Sequence, residues 1–245
     1  MVIIKENVIY VEDFNEENCL IVDDKKDLFK DAIFFDLEHY VYKKPICIGV
    51  FGSAYYDENE NSLKITQYMI ENKYELKKLL RLSKDYFKTM IEEHNKKYIV
   101  TFSGNNDFTV INYLYEKYKI NFKIEEHFKD IDLQKYYEKS MKTSIGLKNL
   151  ESKFNITRES EIISGSNLAK TFSKIMKDEE YFNRMPVDKK EKILLYNMQD
   201  VVSLFYIYVN WNKYIIPSIE DVEAENVVKY KEKINYKVIE NNGCS

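Results

Sequence analysis

Ala32-Ile33-Phe34-Phe35-Asp36-Leu37-Glu38 is an apolar run closed by two acids. Its length and aromatic content predict a buried central strand. Alternate side chains of a strand share a face, so Asp36 and Glu38 project the same way. Strand interiors disfavour Asp, and two carboxylates buried side by side repel each other unless a cation lies between them. Hard oxygen donors of this kind suit Mg²⁺ or Mn²⁺. Acid pairs of the same spacing, Glu58/Glu60 and Asp130/Asp132, also occur among the 41 acidic residues. Taken alone, Asp36 and Glu38 read equally as a metal site or as solvated carboxylates at a strand end.

Outward from this strand, residues 1–30 read as a short, partly extended lead-in with apolar stretches at Val8–Val11 and Cys19–Val22. On the other side, Ile46–Tyr56 and the alternating Lys64–Ile70 read as two more strands. Three strands before any helix suggest an antiparallel meander. A helical pattern then runs from Lys73 to Asn95, with Leu76, Leu79, Leu80, Phe87, Met90 and Ile91 as its apolar stripe. Tyr98–Phe102 is a short β-like run, Asp107–Tyr118 is helical by pattern, and a further strand is expected near Phe128–Ile131. The remainder is helical, its last long pattern spanning Lys189 to Tyr214. This order predicts an α/β domain over 1–216: a mixed five-stranded sheet, meander first and parallel strands after, flanked by helices, with a helical C-terminal half. There is no GxGxxG and no GxxxxGK[ST], which argues against a dinucleotide or P-loop site. Residues 217–245 are polar and read as a tail.

The chain's 245 residues suffice for one large domain. Hydrophobic residues make up 44% and charged residues 32%, a soluble globular balance. No apolar run approaches the roughly 20 residues that span a bilayer, so no membrane partner is expected. Met1–Asn7 soon becomes charged and lacks the apolar core of a secretory signal. Cys19, Cys47 and Cys244 stand far apart without zinc-ligand spacing, which fits free thiols in a reducing cytoplasm. The net charge of −4 argues against a non-specific coat for nucleic acid. It argues less against an enzyme whose bound cations offset phosphate charge locally.

Two further acids stand in telling contexts. In Ile99-Val100-Thr101-Phe102-Ser103-Gly104-Asn105-Asn106-Asp107-Phe108 a strand enters a small-residue turn and Asp107 opens a helix. Read by itself, Asp107 is a first-turn acid favoured by the helix dipole. In Ile193-Leu194-Leu195-Tyr196-Asn197-Met198-Gln199-Asp200-Val201-Val202 an acid interrupts an apolar helical stretch, and Tyr196 lies one turn before it on the same face.

Together these elements resemble the DEDD superfamily of 3′→5′ exonucleases, tyrosine type, on an RNase H-like fold. The fit is Asp36 and Glu38, then Asp107, then Asp200, with Tyr196 four residues before the last acid. Asp132-Leu133, Ser144-Ile145-Gly146-Leu147-Lys148-Asn149-Leu150-Glu151 and Phe154-Asn155-Ile156-Thr157-Arg158 resemble in order a run of the YprB-like RNase H-like domain, and Ser164-Gly165 continues it. The resemblance spans roughly 31–211. Two features depart from it: in Asn106-Asp107-Phe108 the apolar residue follows the acid, and His39-Tyr40 follows Glu38. The resemblance implies four carboxylates (Asp36, Glu38, Asp107, Asp200) holding two Mg²⁺ or Mn²⁺ ions, with Tyr196 orienting the attacking water. It implies hydrolysis of DNA or RNA from a single-stranded 3′ end. A catalytically inactive module binding nucleic acid or protein, and a related endonuclease, are the alternatives. Lys148 reads as a solvated lysine or a phosphate contact, and Asp132 as a helix cap. Phe102 and Phe108 read as core residues or stacking platforms for a base.

Overall fold

The computed structural model describes residues 1–158 and 164–215; the expected tail at 217–245 lies outside them. The strands are β1 (Ile3–Tyr10), β2 (Ala32–Tyr42), β3 (Lys44–Asp57), β4 (Ser62–Met69), β5 (Tyr98–Thr101) and β6 (Lys129–Asp132). The helices are α1 (Leu76–Glu92), α2 (Asn105–Lys117), α3 (Leu133–Met141), α4 (Leu147–Lys153), α5 (Gly165–Lys177), α6 (Tyr181–Arg184), α7 (Val187–Val209) and α8 (Trp211–Tyr214).

The strands form a single mixed sheet in the order β1-β4-β3-β2-β5-β6. β1 to β4 pair antiparallel, whereas β5 runs parallel to β2 and β6 parallel to β5. The α/β fold with an antiparallel meander, parallel strands and a helical C-terminal half is as expected, with one strand more than five. The addition is β1, from the stretch read only as a lead-in. Its pairs of apolar residues are separated by Lys5-Glu6-Asn7, and most of it is exposed. An edge strand buries little and so carries little periodic signal.

Burial follows from the alternation in β2. Ile33, Phe35 and Leu37 face one core, packed by α1 and α2, where Phe35 meets Phe87 at 5.6 Å between ring centroids. Ala32 and Phe34 face the other core, under α7, where Phe34 meets Phe205 at 5.4 Å. Asp36 and Glu38 continue the second series. The period of two therefore aims both acids at the helix that carries Asp200. Cys19 and Cys47 are buried free thiols, and burial raises each to about 12. No described helix is long and apolar enough to cross a membrane.

Candidate active site

β2 delivers Asp36 and Glu38 two residues apart, and α7 crosses that face with Tyr196 and Asp200 one turn apart. One carboxylate oxygen each from Asp36, Glu38 and Asp200 lies within 4.8 Å of the others. Glu38 and Asp200 are buried, and Asp36 is partly open to solvent. Such a set of hard oxygen donors, converging from two elements, fits a divalent cation such as Mg²⁺ or Mn²⁺.

Asp36 is held from its own sheet. Gly52 of β3 lies opposite it in register. A Cβ at Gly52 would collide with the side chain of Asn197, one turn before Val201 on α7. The missing side chain lets Asn197 Nδ2 reach Asp36 Oδ2 at 3.0 Å. Gln67 of β4 fixes the amide in turn, Nε2 donating to Asn197 Oδ1 at 2.8 Å and to the Leu194 carbonyl at 2.8 Å.

Asp107 reaches this neighbourhood through a strained turn. Ser103 has φ 60°, and its N–H donates to Asp132 Oδ1 at 2.9 Å. Asp132 also caps α3 by accepting from Gln134 N at 3.0 Å, as expected of it. Gly104 then packs so close to Thr101 that a Cβ would overlap its side chain. Asp107, in the first turn of α2, is buried and feels the charges of Asp36 and Asp200. It lies outside the set of three close carboxylates. His39 Nδ1 stands 4.0 Å from its Oδ1, and burial lowers the imidazole pKa. Phe108 is a core residue, stacked on Phe35 at 6.3 Å.

A family model of the RNase H superfamily matches residues 33–212. The chain belongs to the RNase H superfamily. No curated protein and no solved structure matches it. The matched span takes in the acids of β2, Asp107 and Asp200. Membership brings nuclease-type chemistry and nucleic acid as partner, and the acidic triad suits the divalent metals that RNase H-like nucleases use.

The same site contains a cation that residue-by-residue reading of the sequence did not find. Arg158 donates through Nε and Nη2 to Glu151 at 2.8 and 2.7 Å, and Nη2 also binds Asp200 Oδ1. The three side chains are 9%, 3% and 8% exposed. A guanidinium thus bridges Asp200 of the acidic cluster to a buried Glu151. The signal available was the run from Ser144 to Arg158, in which Glu151 and Arg158 stood in the resemblance without roles. Arg158 also lies 5.1 Å from the Tyr196 ring centroid, with the Lys148 ammonium at 5.0 Å. Lys148 is therefore a half-buried neighbour of the centre.

Burial, then the charge of Asp200, pushes the Asp36 carboxyl up to about 8. Burial raises Glu38 well above its usual range, with Asp36, Asp200 and Asp107 adding to it. Burial lifts Asp200 to about 6, with Arg158 pulling the other way. Burial and the neighbouring carboxylates raise the Tyr196 phenol, so it stays protonated at neutral pH. These folded-state values lie above the unfolded ones. Their stabilising contribution is present below about pH 4 and is lost as pH rises through 6 for Asp200 and 8 for Asp36. In EDTA the melting temperature is therefore expected to fall between about pH 5.5 and 8.5, and to fall less in Asp36→Asn. Mn²⁺, which favours the ionised carboxylates, should narrow the difference. Thermal melts at the two pH values check this, and identical pH dependence in the wild type and Asp36→Asn would contradict it.

Proposed function

We propose that this RNase H-like protein is a metal-dependent 3′→5′ exonuclease that hydrolyses phosphodiester bonds of a single-stranded DNA or RNA end. The observation that carries the reading is the convergence of Asp36, Glu38 and Asp200, with Tyr196 one turn before Asp200 on the same helix face. Asp36, Glu38 and Asp200 would hold one Mg²⁺ or Mn²⁺. Asp107, separated from that set but sharing its field, would help hold a second ion with Asp36. Bound there, divalent cations supply positive charge to the phosphodiester and acidify an attacking water.

The chain's own groups do the positioning. Asn197, braced by Gln67, fixes the rotamer of Asp36. Tyr196, held as a neutral phenol, is suited to orient the nucleophilic water through a hydrogen bond rather than to deprotonate it. The cavity of roughly 310 Å³ lined by Gly146, Leu147, Lys148, Asn149, Tyr196 and Asp200 gives a terminal nucleotide access to these groups.

A 5′-labelled oligonucleotide incubated with Mn²⁺ tests the reading. The expected product is a ladder of single-nucleotide 3′ shortening, blocked by a 3′-terminal phosphorothioate. Tyr196→Phe should slow the ladder by about 100-fold, the lower end of the range for a positioned proton-handling group, with Mn²⁺ affinity unchanged. Internal cuts on a 3′-blocked strand would indicate an endonuclease, and no cleavage with either Mg²⁺ or Mn²⁺ would defeat the proposal.

A further inference from the structure

The chain carries a net charge of −4, yet four lysines line one cleft of roughly 530 Å³ between α5, α6 and α7. Lys170 and Lys174 come from α5, and Lys189 and Lys192 from α7. Tyr181 of α6 stands among them. The Lys174 and Lys189 ammoniums lie 5.5 and 6.0 Å from its ring centroid, and Lys189 Nζ donates to its hydroxyl at 3.5 Å. Among the described residues, Asp188 is the only acid lining the cleft. Many other lysines are paired with carboxylates, including Lys26, Lys30, Lys64, Lys73, Lys129 and Lys135. None of the four cleft lysines forms such an ion pair with a described residue. Four ammoniums gathered about Asp188, the one acid among the described lining residues, repel one another, and an anion of extended form relieves them.

The spacing along α7 ties the cleft to the acidic centre. Lys189, Lys192, Tyr196 and Asp200 stand at i, i+3, i+7 and i+11, a single stripe of the helix. At a rise of about 1.5 Å per residue, Lys192 lies about 12 Å and Lys189 about 16 Å along the axis from Asp200. Phosphates of an unstacked strand are about 6 to 7 Å apart, roughly twice the 3.4 Å per-strand spacing of the duplex. The cleft therefore begins about two phosphates from a bond cleaved at Asp200.

We infer that the α5–α7 cleft is a phosphate-binding track for the substrate strand. It holds the backbone of the second and third nucleotides on the 5′ side of the scissile bond. This deepens the exonuclease reading and takes its position along the strand from it. Ammonium groups recognise phosphate charge rather than base edges, so the track is indifferent to sequence and sensitive to salt.

The test uses the whole chain, the double variants Lys170→Glu/Lys174→Glu and Lys189→Glu/Lys192→Glu, and Lys77→Glu/Lys78→Glu on α1 as a control of equal charge change. Fluorescence anisotropy in EDTA measures binding of labelled oligothymidylates of two to eight nucleotides. The wild type and the control should bind the octamer at least tenfold more tightly than the dimer, with most of the gain made by four nucleotides. In both cleft variants that ratio should fall towards one. The salt dependence of binding should weaken as well, its log–log slope becoming shallower by about 0.7 for each phosphate that the lysines no longer neutralise. A ratio unchanged by both cleft variants, or abolished equally in the control, overturns the track. Mn²⁺-dependent shortening of the octamer by the wild type is measured separately. Without it the exonuclease reading fails, while the binding ratios still decide whether the cleft holds a strand.

Discussion

Asp36→Asn and Asp200→Asn are each expected to lower Mn²⁺-dependent shortening of a single strand by about 10³-fold or more, and to remove the tight Mn²⁺ binding seen by calorimetry. Each substitution replaces a charged oxygen donor with a neutral amide of the same shape in a set of three that meet within 4.8 Å. The fold should survive Asp36→Asn and melt no lower in EDTA at about pH 8. Asp36 is pushed up to about 8 by burial and by Asp200, so ionising it costs stability in the metal-free protein. The Asn carbonyl can still accept the Asn197 amide hydrogen. Activity lost together with metal, while stability is kept or gained, distinguishes a ligand from a structural acid. An Asp36→Asn protein that unfolds, or either variant with full activity, contradicts the assignment.

Arg158→Gln should produce the largest loss of stability. It leaves Glu151 buried without its bidentate partner and Asp200 without its only ion-pair partner among the described residues. Breaking a buried ion pair by removing one member costs about 3–5 kcal/mol. Urea denaturation in EDTA should show a loss of that order, and Glu151→Gln/Arg158→Gln should recover much of it by removing the stranded charge. Under the two-metal reading the loss shrinks in Mn²⁺, because Asp200 then has a cation other than Arg158. A loss below about 1 kcal/mol in EDTA would place the pair among ordinary surface ion pairs and remove Arg158 from the account of the site.

The parts legible in the sequence were those written in local periodicity. The two-residue alternation of β2 puts Phe34 under α7 and Asp36 and Glu38 beyond it. The four-residue spacing of Tyr196 and Asp200 puts both on one face of α7. What stayed hidden depends on pairing across the chain. Asn197 matters because Gly52 falls opposite Asp36, and that register is fixed by the hairpin between β2 and β3 rather than by either strand. Glu151 and Arg158 meet through the loop after α4, and nothing in their seven-residue separation shows that Asp200 will join them. Asp107 was visible as an acid opening a helix. Its direction depends on the positive φ of Ser103 and the hydrogen bond from Ser103 to Asp132. β1 was missed as a member of the sheet because an edge strand that only half-buries Ile3, Asn7 and Ile9 carries a weak alternation, blurred by the exposed Ile4 and Val8.

The central claim is that Asp36 lies at the heart of a divalent-cation site. Crystals grown in Mn²⁺ and measured at the manganese absorption edge test it most directly. Two anomalous peaks about 4 Å apart are predicted, one bounded by Asp36, Glu38 and Asp200 and the other between Asp36 and Asp107, with Arg158 withdrawn from Asp200 onto Glu151. No peak beside Asp36, with Arg158 still bound to Asp200, would contradict it.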